Sequence, residues 1–172
     1  FVDLCDTFNL PLLIFLDMPG FMLGSHAEQI ATMRRGARAL IASAECQVPK
    51  IEFMVRKSYG VAADAPNSIG LPNSLNLRFG WPSGEWGGIP IEGGVAAAYR
   101  REIEAAEDPE AHRLAIEERL LRLRSPFRAA HRGDVIDLID PRETRSLACR
   151  FVNLAQPKLR ELAQRNKRAV RP

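Results

Sequence analysis

Few side chains in this 172-residue chain are arranged to do chemistry on their own. His26, His112 and His131 stand apart with no ligand spacing, and Cys5, Cys46 and Cys149 are widely spaced, odd in number and free of any C-x-x-C pattern. No metal site is indicated by that spacing. Asp17, Asp64, Glu85 and Glu92 lie in glycine-rich stretches and are of a type that serves as acid or base. Isolated carboxylates are ordinarily caps or surface charges, however, and nothing in the spacing pairs these four. G-x-S-x-G and a Ser-His-Asp order are absent, as is a G-x-G-x-x-G opening a helix after a strand. What remains is backbone chemistry. Two glycine turns follow apolar runs: Met18-Pro19-Gly20-Phe21, and Ser58-Tyr59-Gly60 leading into Val61-Ala62-Ala63-Asp64-Ala65. Small side chains in the second leave N–H groups accessible, and successive N–H groups at a helix start stabilise an oxyanion. A tight turn packed on the core is the competing reading.

The elements that must hold these turns follow from hydrophobic period. Leu10 to Leu16 is a continuous apolar run, suited to a strand buried on both faces. From Ala27 to Ala44, Ile30, Met33, Ala37, Leu40, Ile41 and Ala44 recur at three- and four-residue steps, which predicts one amphipathic helix. Lys50 to Val55 predicts a second strand, completing a βαβ unit with a right-handed crossover. The stretch from Tyr59 to Asn73 reads as a glycine- and proline-interrupted turn, and Leu75 to Phe79 as a third strand. Helices are expected over Gly93 to Glu107 and Pro109 to Arg124, divided by the helix-starting Asp108-Pro109. A short helical piece runs from Ser125-Pro126 to Gly133, a strand spans Val135 to Ile139, and Asp140-Pro141 opens a closing helix through about Ala155. Both glycine turns then lie outside the carboxyl ends of parallel strands, where open α/β sheets bind ligands.

The length suits one domain, and the 46% hydrophobic and 26% charged fractions are those of a soluble globular protein. No apolar run of about 18 residues could span a bilayer. Unpaired cysteines suggest a reducing, cytoplasmic setting. The opening on Phe1 without an initiator Met reads as a truncated reading frame. A basic tail over about 156–172, with Lys158, Arg160, Arg165, Lys167, Arg168 and Arg171, is read as a solvated helix end rather than a nucleic-acid site.

Several short segments resemble the C-terminal half of the carboxyltransferase (beta) subunit of propionyl-, methylcrotonyl- and acetyl-CoA carboxylases. These are Phe1-Val2-Asp3-Leu4-Cys5-Asp6 with Pro11-Leu12-Leu13, Asp17-Met18-Pro19-Gly20-Phe21, Gly36-Ala37-Arg38, and Val48-Pro49-Lys50-Ile51 leading to Arg56-Lys57-Ser58-Tyr59-Gly60. Trp81-Pro82-Ser83-Gly84-Glu85 and Asp137-Leu138-Ile139-Asp140-Pro141-Arg142-Glu143-Thr144-Arg145 complete the series, in the family's order and across nearly the whole chain. The resemblance implies a single lobe, residues 1–172, of a crotonase-like α/β fold, a spiral of ββα units. The family's N-terminal, acyl-CoA-binding lobe is missing from it. It further implies a homo-oligomer, a hexamer in the full-length family, with active sites between lobes of neighbouring subunits. The implied partners are a biotin carboxylase and biotin carboxyl carrier subunit and an acyl-CoA; the implied cofactor is biotin on that carrier, with no metal, nucleic acid or membrane involved. In such enzymes carboxybiotin loses CO2, the biotin enolate takes the α-proton of the acyl-CoA, and the thioester enolate attacks the CO2. Backbone oxyanion holes suit two enolates better than strong side-chain acids.

By the same resemblance the amides of Val61 and Ala62 form the oxyanion hole, and Pro19, Gly20, Phe21, Tyr59, Gly60 and Asp64 bind substrate or biotin. The family usually has glycine where Val61 stands, and a β-branched residue there is expected to resist positive φ and to narrow the approach. Asp64 falls where the family's acyl preference is influenced; Pro66-Asn67-Ser68-Ile69 departs from the common continuation, and Glu85-Trp86-Gly87-Gly88-Ile89 resembles a less studied branch. Two other readings stay open. One is a single-lobe crotonase-like acyl-CoA hydrolase or isomerase with Asp64 or Glu85 over the α-carbon; the other is a non-catalytic assembly module using the basic tail.

Overall fold

The apolar runs pair as a parallel sheet in the computed structural model, which describes residues 1–67, 75–91 and 93–164. Glu92, Ser68, Ile69 and the tail residues Arg165, Lys167, Arg168 and Arg171 lie outside the described residues. Strand β1 (Leu12–Met18) pairs with β2 (Lys50–Tyr59) from Leu12↔Lys50 to Leu16↔Met54, and resumes after a register shift at Met18↔Ser58. The other edge of β2 is shared. Its first half pairs with β3 (Asn76–Gly80) and its last three residues with β4 (Glu85–Gly87). A two-residue β5 (Asp137–Leu138) closes the sheet against β3.

Alternation along the strands sends side chains to two cores. On one face Phe53 stacks between Phe15 and Phe79, at centroid distances of 5.6 and 6.1 Å, and packs with Ile51, Ile139, Ala148 and Phe151. Ala148 and Phe151 come from α9 (Thr144–Ala163), whose approach is set by a capping box. In that box the Asp140 carboxylate accepts from Arg142 N at 2.9 Å, while Glu143 accepts from Asp140 N. On the other face Leu16 and Met54 pack with Ala63, Trp86, Ala129 and Val135.

The helices depart from the periodicity in three places. The run from Ala27 to Ala44 divides into α2 (Ser25–Gln29) and α3 (Thr32–Glu45), because Ala31 adopts a left-handed φ of 56°. Residues buried in α3 are the small Gly36 and Ser43, whereas Met33 and Ile41 of the apolar stripe are exposed. Close approach explains the choice: a Cβ on Gly36 would stand 2.4 Å from Cζ of Phe21. The expected helix from Gly93 to Glu107 breaks at Tyr99 into α5 (Gly94–Ala98) and α6 (Arg100–Glu104). These fold with α7 (Pro109–Leu123) around a small core of their own, Ile91, Val95 and Ile116, with Tyr99, Ile103 and Leu120 against it. The sequence reading also lacked α1 (Val2–Thr7) and β4, each too short for a period to register, and ended α9 early, since Pro157 lies inside the helix. No helix among the described residues is long and apolar enough to cross a membrane.

Phe53→Ala removes the middle ring of the aromatic stack from a fully buried position. We expect a loss of about 3–5 kcal/mol in urea unfolding.

Candidate active site

Two strand ends define the site. The parallel pairing brings the carboxyl ends of β1 and β2 side by side, and an ion pair joins the motifs that follow them. Arg56 donates from Nε to both Asp17 oxygens at 3.2 and 3.1 Å, its Nη2 lies 2.9 Å from Oδ2, and the Lys57 amide donates to Oδ1 at 3.1 Å. Hydrogen bonding from Arg56 holds the Asp17 carboxyl below its ordinary range. Asp17 is thus a clamp between the glycine turns.

From β2 the chain enters α4 (Gly60–Asp64) directly. Gly60 makes the turn, with φ of 62°, and a Cβ there would meet the Gly88 carbonyl oxygen at 3.2 Å. Positive φ therefore falls at Gly60 and not at Val61, which corrects the expectation that valine strains this loop. Val61 is helical and its side chain is exposed, 61%, while Ala62 and Ala63 are buried on the sheet. In the first turn of a helix the N–H groups have no partner within the helix, and the amides of Val61 and Ala62 are in that turn.

Beside α4 lies a cavity of about 740 Å³, within the range of small-ligand sites. Tyr59, Gly60 and Asp64 line it, together with Gly87 and Gly88 after β4. Ile89, Tyr99, Leu120 and Leu123 give it an apolar wall, and Arg78, Arg124 and Arg132 are its cations. Val61, Ala62, Pro19, Gly20 and Phe21 are not on that lining; Phe21 packs over Gly36, so the first glycine turn is tied to α3.

The carboxylates that sequence spacing left unpaired have partners in space. Tyr59, almost fully buried, donates its hydroxyl to Glu85 Oε2 at 3.0 Å, and Arg124 Nη1 lies 3.1 Å from the same oxygen and 3.4 Å from the tyrosine oxygen. Burial pushes the Tyr59 phenol up. Asp64 Oδ1 stands 3.8 Å from Arg78 Nη1. Both candidate bases of the hydrolase reading are therefore ion-paired.

Glu52, which sequence reasoning passed over, is fully buried on β2, ion-paired through Oε1 with Arg78 Nε at 3.0 Å, and among the described residues neither of its carboxylate oxygens has a hydrogen-bond partner. Burial pushes its carboxyl up to about 7. Its neighbour on the same face, Lys50, is also fully buried and donates to the Ser43 carbonyl at 2.7 Å and hydroxyl at 3.2 Å. Desolvation lowers the Lys50 pKa. A period-two reading hides both residues, because it assigns charged strand positions to solvent.

Comparison with known proteins decides the ancestry: residues 1–170 match the carboxyl transferase domain family. The chain belongs to that family. It is similar to the propionyl-CoA carboxylase carboxyltransferase subunit of Haloferax mediterranei, 41% identical over 147 residues, which are 85% of this chain and 28% of the relative. The methylmalonyl-CoA carboxyltransferase 12S subunit of Propionibacterium freudenreichii subsp. shermanii is 41% identical over 146 residues, 84% of this chain and 28% of the relative. The chain thus spans under a third of the length of these relatives. The transcarboxylase 12S crystal structure superposes with a TM-score of 0.75 at 35% identity, covering 99% of this chain and 31% of that one. At the level of fold alone, the geranyl-CoA carboxylase beta subunit of P. aeruginosa gives 0.82 at 22% identity, covering 99% and 32%. The carboxyl transferase domain is crotonase-like α/β, as the motif order implied. Cavity residues that the sequence did not single out, such as Arg78, Arg124, Arg132 and Asp134, come from β3, the end of α7, and the last residue of α8 (Pro126–Arg132) with the turn after it, and no local spacing connects them.

A carboxyl whose folded pKa lies near 7 against an ordinary 4.5 binds more protons in the native than in the unfolded chain between those values. Its contribution to stability is therefore present below about pH 4.5 and is lost as pH rises towards 7. Urea unfolding of the wild-type chain and Glu52→Gln across that window should diverge by about 3 kcal/mol, with the wild type falling relative to the variant.

Proposed function

We propose that this chain, residues 1–172, is the biotin-facing lobe of an acyl-CoA carboxylase carboxyltransferase. The observation that carries the reading is Gly60, which lines a small-ligand cavity at paired parallel strand ends and opens the helix whose first turn holds the Val61 and Ala62 amides. The names of the relatives, propionyl-CoA carboxylase and methylmalonyl-CoA carboxyltransferase subunits, support it. The cavity volume and the open backbone at Gly88, where an added Cβ would meet nothing within 4 Å, fit a small bicyclic group. Biotin, carried on a partner protein, supplies the carboxyl group there. The chain's own part is to hold developing negative charge at the Val61 and Ala62 amides. Tyr59, Gly60 and Asp64 shape the ligand's surroundings, and Pro19, Gly20 and Phe21 form the neighbouring turn, braced on α3. Among the described residues no group of three or more His, Cys, Asp or Glu could hold a metal ion.

On this reading the partners are a biotin carboxylase with its biotin carboxyl carrier subunit, an acyl-CoA and further copies in a hexamer, and the setting is cytoplasmic. The family's other lobe supplies the acyl-CoA surface, so the chain alone is inactive. Transfer of labelled carboxyl from a biotinylated carrier to propionyl-CoA, assayed with and without that lobe, tests the claim. Turnover requires both lobes; turnover by this chain alone would overturn the reading.

Val61→Pro removes one proposed oxyanion donor where a helix tolerates proline. In the two-lobed enzyme kcat should fall by about 100-fold or more, with the melting temperature little changed. Full activity in this variant would remove Val61 from the mechanism.

A further inference from the structure

Three guanidinium groups face the cavity, and they are held differently. Arg124 is engaged by Glu85 and Tyr59, and Arg132 by Asp134. Arg78 lies between a buried carboxylate and an exposed one: Glu52 is 0% exposed and 3.0 Å away, and Asp64 is 68% exposed and 3.8 Å away. The inner partner is fixed by the sheet. Glu52 and Arg78 are register partners on adjacent strands, and β2 is bonded along both edges at that point. Arg78 therefore cannot swing to solvent without stranding a carboxylate in the core. The outer partner is loosely held, on a five-residue helix, beyond hydrogen-bond distance and open to water. A cation fixed from behind, with an exchangeable counter-ion in front, is already organised to receive an anion.

We propose that Arg78 is the carboxylate anchor of the cavity. It takes an anionic carboxyl group of the ligand in exchange for Asp64, and Glu52 is the positioning residue that keeps its guanidinium in the wall. The inference rests on reading this cavity as the place of carboxyl transfer, and it specifies the ligand: the carboxyl group in transit is an anion on both donor and product. A planar guanidinium suits it, because it binds a carboxylate through two parallel hydrogen bonds. Lys50, a buried cation on this face of β2, is committed to Ser43 on α3.

Calorimetric titration of the 172-residue chain with malonate, near neutral pH, tests the proposal with uncharged malonamide as control. Malonate should bind and malonamide should not. Asp64→Asn, which removes the internal competitor, should tighten malonate binding by about 3-fold or more. Arg78→Lys keeps a partner for Glu52 but loses the fork, and should weaken binding several-fold. Glu52→Gln combined with Arg78→Gln leaves the core uncharged at this point and should weaken it by about 10-fold or more. Circular dichroism melts identify folded variants, and Arg78→Lys serves as the deciding variant where the double substitution does not fold. Undetectable malonate binding in the wild type, binding unchanged in the folded arginine variants, or binding unchanged or weakened by Asp64→Asn would each overturn the proposal. No carrier or acyl-CoA enters the titration, so this result and the transfer assay fail independently.

Discussion

Strand β2 is hydrogen-bonded along both edges, to β1 on one side and to β3 and then β4 on the other, and both of its faces are covered, one by α9 and the other by α3 and α4. The rest of the structure depends on that double pairing. Ile51 and Phe53 enter the core under α9, while Lys50, Glu52 and Met54 point to the opposite face. At its carboxyl end the strand becomes α4 without a loop, so the backbone geometry of the sheet is passed straight to the Gly60-Val61-Ala62 turn. A site made of main-chain amides needs this kind of support, because an amide is only as well placed as the element behind it.

The same constraint explains why charges are found where a strand pattern predicts solvent. Lys50 and Glu52 project from a covered face of the sheet, where Ser43 from α3 accepts from the amine and Arg78, beside Glu52 on β3, is the counter-ion of a carboxylate left without hydrogen bonds among the described residues. The Glu52–Arg78 pair is not the best available choice for stability, since a buried ion pair gains little over a well-packed apolar pair. Glu52 is pushed up to about 7 by its burial, close to the point where it would lose its charge. The pair does fix the position of Arg78, whose head group reaches the cavity that α4 borders.

Glycines serve the site in two distinct ways. Gly60 is required by conformation, because its φ is positive and the Gly88 carbonyl lies close by. Gly36 and Gly87 are required by space: their hydrogens face the rings of Phe21 and Tyr59. The motif residues that follow β1 are consequently positioned through packing on α3 and through the Asp17–Arg56 pair, whereas Tyr59 and Gly60, where β2 passes into α4, border the cavity themselves.

The sequence by itself determined the strands β1, β2 and β3, the α7 start at Asp108-Pro109, the capped 3-10 turn at Asp140-Pro141 that leads into α9, and the motif order that identified the family. Each of these is written in local chemistry, whether an apolar run, a cap or a short contiguous match. Contacts between elements were not legible. The breaks at Ala31 and Tyr99 leave the hydrophobic phase almost intact, and α3 buries small residues where the period pointed to large ones. Spacing could not pair Asp17 with Arg56, Glu85 with Tyr59 and Arg124, or Glu52 with Arg78, because those partners are 26 to 39 residues apart and meet only when the strands align. Only the tertiary structure decided that the turn beside the cavity places its strain on glycine and not on valine, and that a buried carboxylate stands behind the cavity's arginine.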